Sequence, residues 1–400
     1  MAMLKAISLY TGIGGLDFGF HAAGFRTAVA VEQDAVCCDT IRLNRDWPIL
    51  EGAVNTFSSR KIMRKAGLKK GEADILIGGP PCQPFSKSSY WVRGDSSRLD
   101  DPRADTLTAF LRVLRDTQPR AFLLENVKGL VYRGKDSGLH YILEGVRQIN
   151  RAAKTNYQVS WQVLNAADYG VPQLRERVFL VASRDGRPFV FPEPTHGEDR
   201  DEPHHTAWDA IGDLSADPDD LSLIMKGKWA KLLKSIPEGE NYLWHTPRGG
   251  GKPLFGWRTR YWNFMLKLAK SRPSWTLQAS PGPSTGPFHW RNRLLSSKEL
   301  SRLQTFPDDL IYETNHKNIQ RMIGNAVPSL LAEVLATAIR DQLLDDPRHF
   351  KSYTLLQPRQ GQAPKPERVR PLDSSFEHLL GNHPDHAGEG LGPRALRRAL

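Results

Sequence analysis

The stretch Gly79-Pro80-Pro81-Cys82-Gln83-Pro84-Phe85-Ser86 sets one thiol among prolines and polar side chains. Most isolated cysteines are small buried hydrophobes, but the neighbours of Cys82 do not form an apolar run. Two prolines fix the backbone just ahead of it. A thiolate held in this way is a nucleophile. Adding it to an electron-poor ring carbon would split one difficult step into easier ones. Because the thiolate is the active form, a positive charge nearby would favour it.

Two further groups could serve such chemistry. The apolar run Ala121–Leu124 leads directly into Glu125-Asn126-Val127. A protonated carboxyl at a strand's end can donate to a ring nitrogen and stabilise the charge that thiolate attack creates. Taken alone, this pair reads as a helix cap or a surface acid. Gln173-Leu174-Arg175-Glu176-Arg177 precedes the run Val178–Ala182. Period-two spacing places Arg175 and Arg177 on one face of an extended segment. There they could orient Glu125, contact a substrate carbonyl oxygen and favour anionic intermediates. An isolated arginine pair would more readily be edge-strand charges that oppose aggregation.

A ligand-binding turn stands near the start. Ala6–Leu9 runs into Tyr10-Thr11-Gly12-Ile13-Gly14-Gly15. Glycines between a strand and a helix let the backbone turn tightly and approach a ligand. Glu32 follows at the distance expected of a carboxylate that grips ribose hydroxyls. Asp17 replaces the third glycine of the dinucleotide fingerprint, so an adenosyl cofactor fits better than a nicotinamide one. A turn that only joins strand to helix carries the same signature.

The elements that must position these groups alternate. Ala6–Leu9, Thr27–Val31, Asp74–Gly78, Ala121–Leu124 and Val178–Ala182 read as strands. Gly15–Ala23, Asp34–Leu43 and Thr106–Leu114 read as helices. This rhythm predicts an α/β fold with a parallel, doubly wound sheet. Ligands then bind beyond the carboxyl ends of its strands, where Cys82 and Glu125 fall. Residues 189–289 are rich in Pro, Gly, Trp, Lys and Arg and lose the rhythm, predicting a smaller irregular domain. Helical pattern returns at Lys298–Gln304 and from Pro328 to Leu344. The expected organisation is 1–188, 189–289, a return segment 290–344 that completes the first domain, and a tail 345–400. Few large apolar residues occur in that tail, which predicts disorder or loose attachment.

Composition sets the outer limits. The 400 residues carry 55 Lys plus Arg against 44 Asp plus Glu, a net charge of +11. Such a balance favours a polyanionic partner, since each neutralised phosphate releases a counterion. Cys37, Cys38 and Cys82 are the three cysteines, with neither a disulfide framework nor a zinc spacing among them. His204 and His205 lack companions at ligand spacing, so no metal is expected. The N-terminus lacks the regions of a signal peptide, and no apolar stretch is expected to reach the length of a membrane span. A cytoplasmic protein is expected.

Together these motifs resemble the DNA (cytosine-5) methyltransferase family. The matching elements are the turn Tyr10–Gly15, PPCQPFS from Pro80, ENV from Glu125, QLRER from Gln173, RLLSSKELSRLQTFPDD from Arg293 and GNAVP from Gly324. Six in family order, over residues 4–344, are highly specific. The resemblance implies a Rossmann-like S-adenosylmethionine-dependent fold with a smaller target-recognition domain. It makes Cys82 the nucleophile, Glu125 the acid on cytosine N3, and Arg175 and Arg177 active-site arginines. Tyr10, Gly12, Ile13, Gly14, Gly15, Glu32, Pro81, Leu107, Asn325 and Val327 would hold S-adenosylmethionine, which leaves as S-adenosylhomocysteine. Ser86–Arg103 resembles the mobile loop that closes over a flipped base, with Gln83, Ser86 and Ser88 near the DNA. Ala53 departs from the family's frequent acid, leaving adenine to backbone or another side chain.

The implied partner is double-stranded DNA, bound by a monomer, with a cognate restriction endonuclease acting separately. Arg258, Arg260 and Lys267 interleave with Trp257, Tyr261 and Trp262, and could hold phosphate or reach base edges. A solvated basic surface over core aromatics is an even alternative for any one of them. Three other functions stay open: a transfer-RNA cytosine-5 methyltransferase, a non-catalytic nucleic-acid-binding relative, and, on the glycine turn alone, a nicotinamide dehydrogenase.

Overall fold

The computed structural model describes residues 3–81, 105–132, 137–214, 221–257, 261–347 and 352–381. Strands β1 (Leu4–Leu9), β2 (Phe25–Glu32), β3 (Ile49–Glu51), β4 (Ile75–Gly78) and β5 (Ala121–Val127) pair in parallel in the order β3-β2-β1-β4-β5. Their Ile, Leu, Val and Ala side chains are buried almost throughout, as suits strands covered on both faces. One face packs the helices Asp105–Thr117 and Ser137–Ala153, through Phe110, Leu114 and Ile142. The other packs α1 (Gly15–Ala22) and the helix Ser329–Leu343, through Phe20, Leu331 and Leu335.

The sheet is not wholly parallel, which corrects the sequence expectation. After β6 (Ser160–Asn165) and the two-residue β7 (Gln173–Leu174), β8 (Glu176–Ser183) inserts between β5 and β6, antiparallel to both. The cause is length. A parallel crossover needs a dozen or more residues and usually a helix, but only the short stretch Ala166–Arg175 joins β6 to β8. The chain therefore turns back. That reversal aims Arg175 and Arg177 at the end of β5, where Glu125 stands.

Between β8 and the return helices the backbone forms short helical turns and loops around a second apolar centre. Leu232, Leu233, Tyr242, Met265 and Phe288 lie in it. Trp229 meets the rings of Phe255 and Phe264 at 5.3 and 5.8 Å. Segment β9 (Ser274–Trp275) then pairs with β7, so the irregular region is joined directly to the strand that leads into Arg175.

Two further expectations change. The helical run His316–Leu343 is long and apolar enough to span a membrane by length and composition. It is broken at Ala326–Pro328 into His316–Asn325 and Ser329–Leu343, and most of it is buried inside the protein. The stretch 352–381, read as tail, instead lies across the molecule with Leu355 and Phe376 buried. A few anchors order it, as described below.

Candidate active site

Glu125 is 9% exposed and lies near the carboxyl end of β5, followed by buried Asn126. Its Oε1 takes an ion pair from Arg177 Nε at 3.0 Å. On its other side the backbone of Gly79 comes so close that a Cβ there would stand 2.8 Å from Glu125 Oε2. The glycine lets the chain leaving β4 run directly past the carboxylate. Asn126 Nδ2 donates to the Pro80 carbonyl at 3.3 Å, holding that chain from below. Pro81 is exposed, and the next residue is Cys82. Burial pushes the Glu125 carboxyl up, against the opposing pull of Arg177 and Arg175. A carboxyl with a raised pKa holds its proton nearer to neutral pH and can donate it.

The two arginines, expected to act together, divide the work. Arg177 grips Glu125. Arg175 is 1% exposed and donates through Nη2 to the carbonyls of Gly324 and Ala326, both at 2.9 Å. It touches Glu125 only through charge. Two glutamines extend this buried knot. Gln173 Nε2 donates to Gln304 Oε1 and to the Leu303 carbonyl, each at 3.1 Å. Gln304 Nε2 donates to the carbonyl of Ile323 at 2.7 Å. The QLRER strand, the RLQTF helix end and the GNAVP turn are thus one hydrogen-bonded unit. Gln173 and Gln304 lie within the quoted motifs, but nothing in their spacing announces that they meet.

The glycine turn forms a separate wall. Gly12 has φ +57°, and a Cβ there would meet nothing within 4 Å, so the turn faces open space. Glu32, 9% exposed, accepts from Gly12 N at 2.7 Å through Oε2 and from Gln33 N and Asp34 N at 2.8 Å through Oε1. Oε1 is thus taken by two donors, while Oε2, with one, keeps lone-pair capacity for a further donor. Gly15 meets the GNAVP turn, where a Cβ would stand 2.4 Å from the Val327 carbonyl. Asn325 is exposed beside it. Arg321, four residues earlier on the same helix, pairs with Asp34, the cap of α2 (Ala35–Asn44). Sequence reading missed this pair, which draws the Asn325 turn toward Glu32.

Other expected residues fall as follows. Tyr10 donates to the Thr106 carbonyl at 2.7 Å, next to buried Leu107, and so ties the turn to the Asp105–Thr117 helix. Ile13 and Gly14 are buried against Phe18 and Trp47. Cys82, Gln83, Ser86, Ser88, Arg258 and Arg260, and the loop Ser86–Arg103, lie outside the described residues. Trp257 is 38% exposed with Arg248 over its ring at 5.0 Å. Lys267 is a correction. It is 4% exposed, donates to the Ile236 carbonyl, and burial lowers its pKa to about 8. It braces the irregular region and is not a surface cation. His204 Nε2 meets Asp168 at 3.1 Å, and among the described residues no group of three or more His, Cys, Asp and Glu is placed to hold a metal ion.

The family model for the C-5 cytosine-specific DNA methylase matches residues 4–341. The chain belongs to this family. Among its relatives is the type II methyltransferase M.SacI of Streptomyces achromogenes, 39% identical and covering 85% of this chain and 93% of that protein. The type II methyltransferase M.AquIA of Picosynechococcus sp. is 47% identical over 52% of this chain and 88% of its own length. In fold, the chain is similar to a prophage-encoded DNA modification methyltransferase of E. coli, with TM-score 0.62 and 21% identity over 86% of this chain and 100% of the other. The family uses S-adenosylmethionine, and the glycine wall fits it. Open space over Gly12 suits close approach, and the Glu32 carboxylate at its rim suits ribose hydroxyls.

Proposed function

We propose that this methylase modifies carbon 5 of cytosine in a specific double-stranded DNA sequence, through a covalent bond from Cys82 to carbon 6 of a flipped base. One observation carries the reading: a buried carboxyl of raised pKa, gripped by Arg177, beside the Gly79–Pro81 chain that delivers Cys82. A base inside a duplex cannot present carbon 6 to a thiol, so it must leave the stack, as methyltransferases require. S-adenosylmethionine, held by Gly12, Glu32, Asn325 and Val327, supplies an electrophilic methyl carbon. Cys82 Sγ adds to carbon 6 and makes carbon 5 electron-rich. Glu125 donates to N3 and disperses the developing negative charge. Arg177 orients Glu125 and adds positive charge beside it. Once carbon 5 has gained the methyl group, solvent takes its proton, N3 returns the proton to Glu125, and Sγ leaves as the thiolate while the base regains its aromatic ring.

Residues 1–188 and 290–344 carry catalysis in this reading, while 189–289 reads the DNA. Arg258 and Arg260, with exposed Trp257 close by, are its candidate DNA contacts. The protein works as a cytoplasmic monomer without a metal, alongside a restriction endonuclease that acts separately. The decisive test is trapping. Duplex DNA with 5-fluorocytosine at the target should form a stable adduct, because fluorine cannot leave as a proton does. Cys82→Ala should form none and lose methylation, while binding the cofactor normally in calorimetry. Turnover by Cys82→Ala would end the covalent reading. Methyl transfer to matched RNA but not to DNA would replace the substrate with the RNA alternative.

A further inference from the structure

The family model ends at residue 341, but the ordered chain does not. Residues 352–381 leave the catalytic body and cross to the irregular region. At the near end, Thr354 N and Leu355 N donate to the two carboxylate oxygens of buried Glu333, at 2.6 and 2.8 Å. Midway, Arg359 donates to the carbonyls of Pro203 and His204. Gln360 donates through its backbone to Asp209 at 3.1 Å and through Nε2 to Asp213 at 2.7 Å. Farther on, Glu367 N donates to Glu238 Oε1 at 2.7 Å, and the Glu367 carboxylate takes Lys270 Nζ at 3.1 Å. The segment thereby completes the buried Lys270–Glu238 pair of the irregular region. At the far end, Phe376 is 3% exposed and stacks on Trp229 at 5.7 Å with the planes 9° apart.

Apart from the 3-10 turn Ser374–Leu379 this segment has no regular structure, and its ordering carries an entropic cost that its contacts must offset. Two of those contacts mark its ends. One lies on the helix Ser329–Leu343, which packs under the glycine turn. The other is the apolar centre built around Trp229. Phe376 fills that centre from 147 positions away, a span given by 376 minus 229. A segment fixed at both ends, and supplying part of the second centre, sets where one region sits on the other.

We propose that residues 352–381 are a positioning strap, which holds the target-reading region against the catalytic body so that bound DNA meets Glu125 and the Cys82 loop in register. The proposal rests on the reading that 189–289 engages DNA. Phe376 and Arg359 are positioning residues, acting through the surface that they brace.

The test uses the full chain and a duplex containing its methylation site. Phe376→Ala should raise the KM for DNA about tenfold by misplacing the bound target. The turnover rate at saturating DNA and the cofactor Kd should stay within about twofold, and Phe376→Leu should recover most of the loss. Arg359→Ala with Gln360→Ala, at the better exposed middle of the strap, should move the DNA KM the same way by a smaller factor. This pair carries the test should Phe376→Ala not fold. An unchanged DNA KM in the folded variants would overturn the proposal. So would a parallel loss of DNA KM, cofactor binding and turnover rate, which signals general unfolding. Hydrogen exchange on the unaltered protein separates the two layers. No protection by DNA anywhere in 189–289 rejects the underlying reading. Protection there, with an unmoved KM in the variants, rejects the strap alone.

Discussion

At Glu125 two influences oppose each other. Burial raises its pKa, and the guanidiniums of Arg177 and Arg175 lower it; burial prevails. The acid therefore keeps its proton to higher pH than an exposed glutamate, and loses it as pH rises further. In the proposed mechanism donation to N3 needs that proton, so activity should fall on the alkaline side as Glu125 ionises. Glu125→Gln keeps the shape and removes the ionisable proton. We expect it to lower the turnover rate about 10²-fold, within the usual range for a lost general acid. The alkaline limb assigned to Glu125 should vanish with it, while cofactor affinity stays unchanged. Wild-type turnover with an unaltered pH profile would leave Glu125 no part in the chemistry. The motif ENV made this residue legible through its place in the family order; taken alone it read as a helix cap or surface acid, and the strand in fact runs two residues beyond it. The division between Arg175 and Arg177 was not legible. Period two placed both on one face, but the carbonyls that Arg175 satisfies belong to residues about 150 positions away.

Among the elements, α1 is held by an acid that chemistry does not use. Asp17 is fully buried and accepts from Ser8 Oγ on β1 at 2.9 Å and from Thr27 Oγ1 on β2 at 2.8 Å. Burial raises its pKa from 3.8 to about 6, against those hydrogen bonds. Between these values the folded chain binds more protons than the unfolded chain, so stability falls as pH rises through that window and levels off above it. A shift of this size corresponds to about 3 kcal/mol. Asp17→Asn should flatten the dependence, measured as denaturant midpoint from about pH 4 to 7. An identical slope in the variant would assign the effect elsewhere. The sequence showed Asp17 only as a broken glycine fingerprint. Strands were plain as apolar runs because both faces of the central ones are covered. The reversal of β8 lay in a connection length, and the buried state of Lys267 was hidden by basic neighbours that look like surface. The strap misled for a related reason: two buried apolar residues and a set of backbone donors order a segment whose composition alone predicts disorder.

For the whole molecule, the closing step brings the helix Ser329–Leu343 onto α1, joining the two ends of the family-matched span. Gly19 is where they meet. A Cβ on it would stand 2.3 Å from the Ser329 carbonyl oxygen, 2.5 Å from Ala332 Cβ and 2.5 Å from Glu333 N. Two of those atoms are backbone, so the helix itself would have to move. Three functions share that helix. It begins two residues after Val327 of the proposed cofactor wall, it carries Glu333 at the root of the proposed strap, and it covers the sheet face beneath β1 and β4. Gly19→Ala is favourable by about 1 kcal/mol in intrinsic helix propensity, but overpacking here should cost about 1–3 kcal/mol or more. The two effects have opposite signs, so a melting experiment discriminates. We expect a lower melting temperature together with weaker S-adenosylmethionine binding, since displacing the helix also displaces Val327 and Asn325. A variant that melts at or above the wild-type temperature would show that propensity wins, and that the contact between α1 and this helix is looser than these distances require.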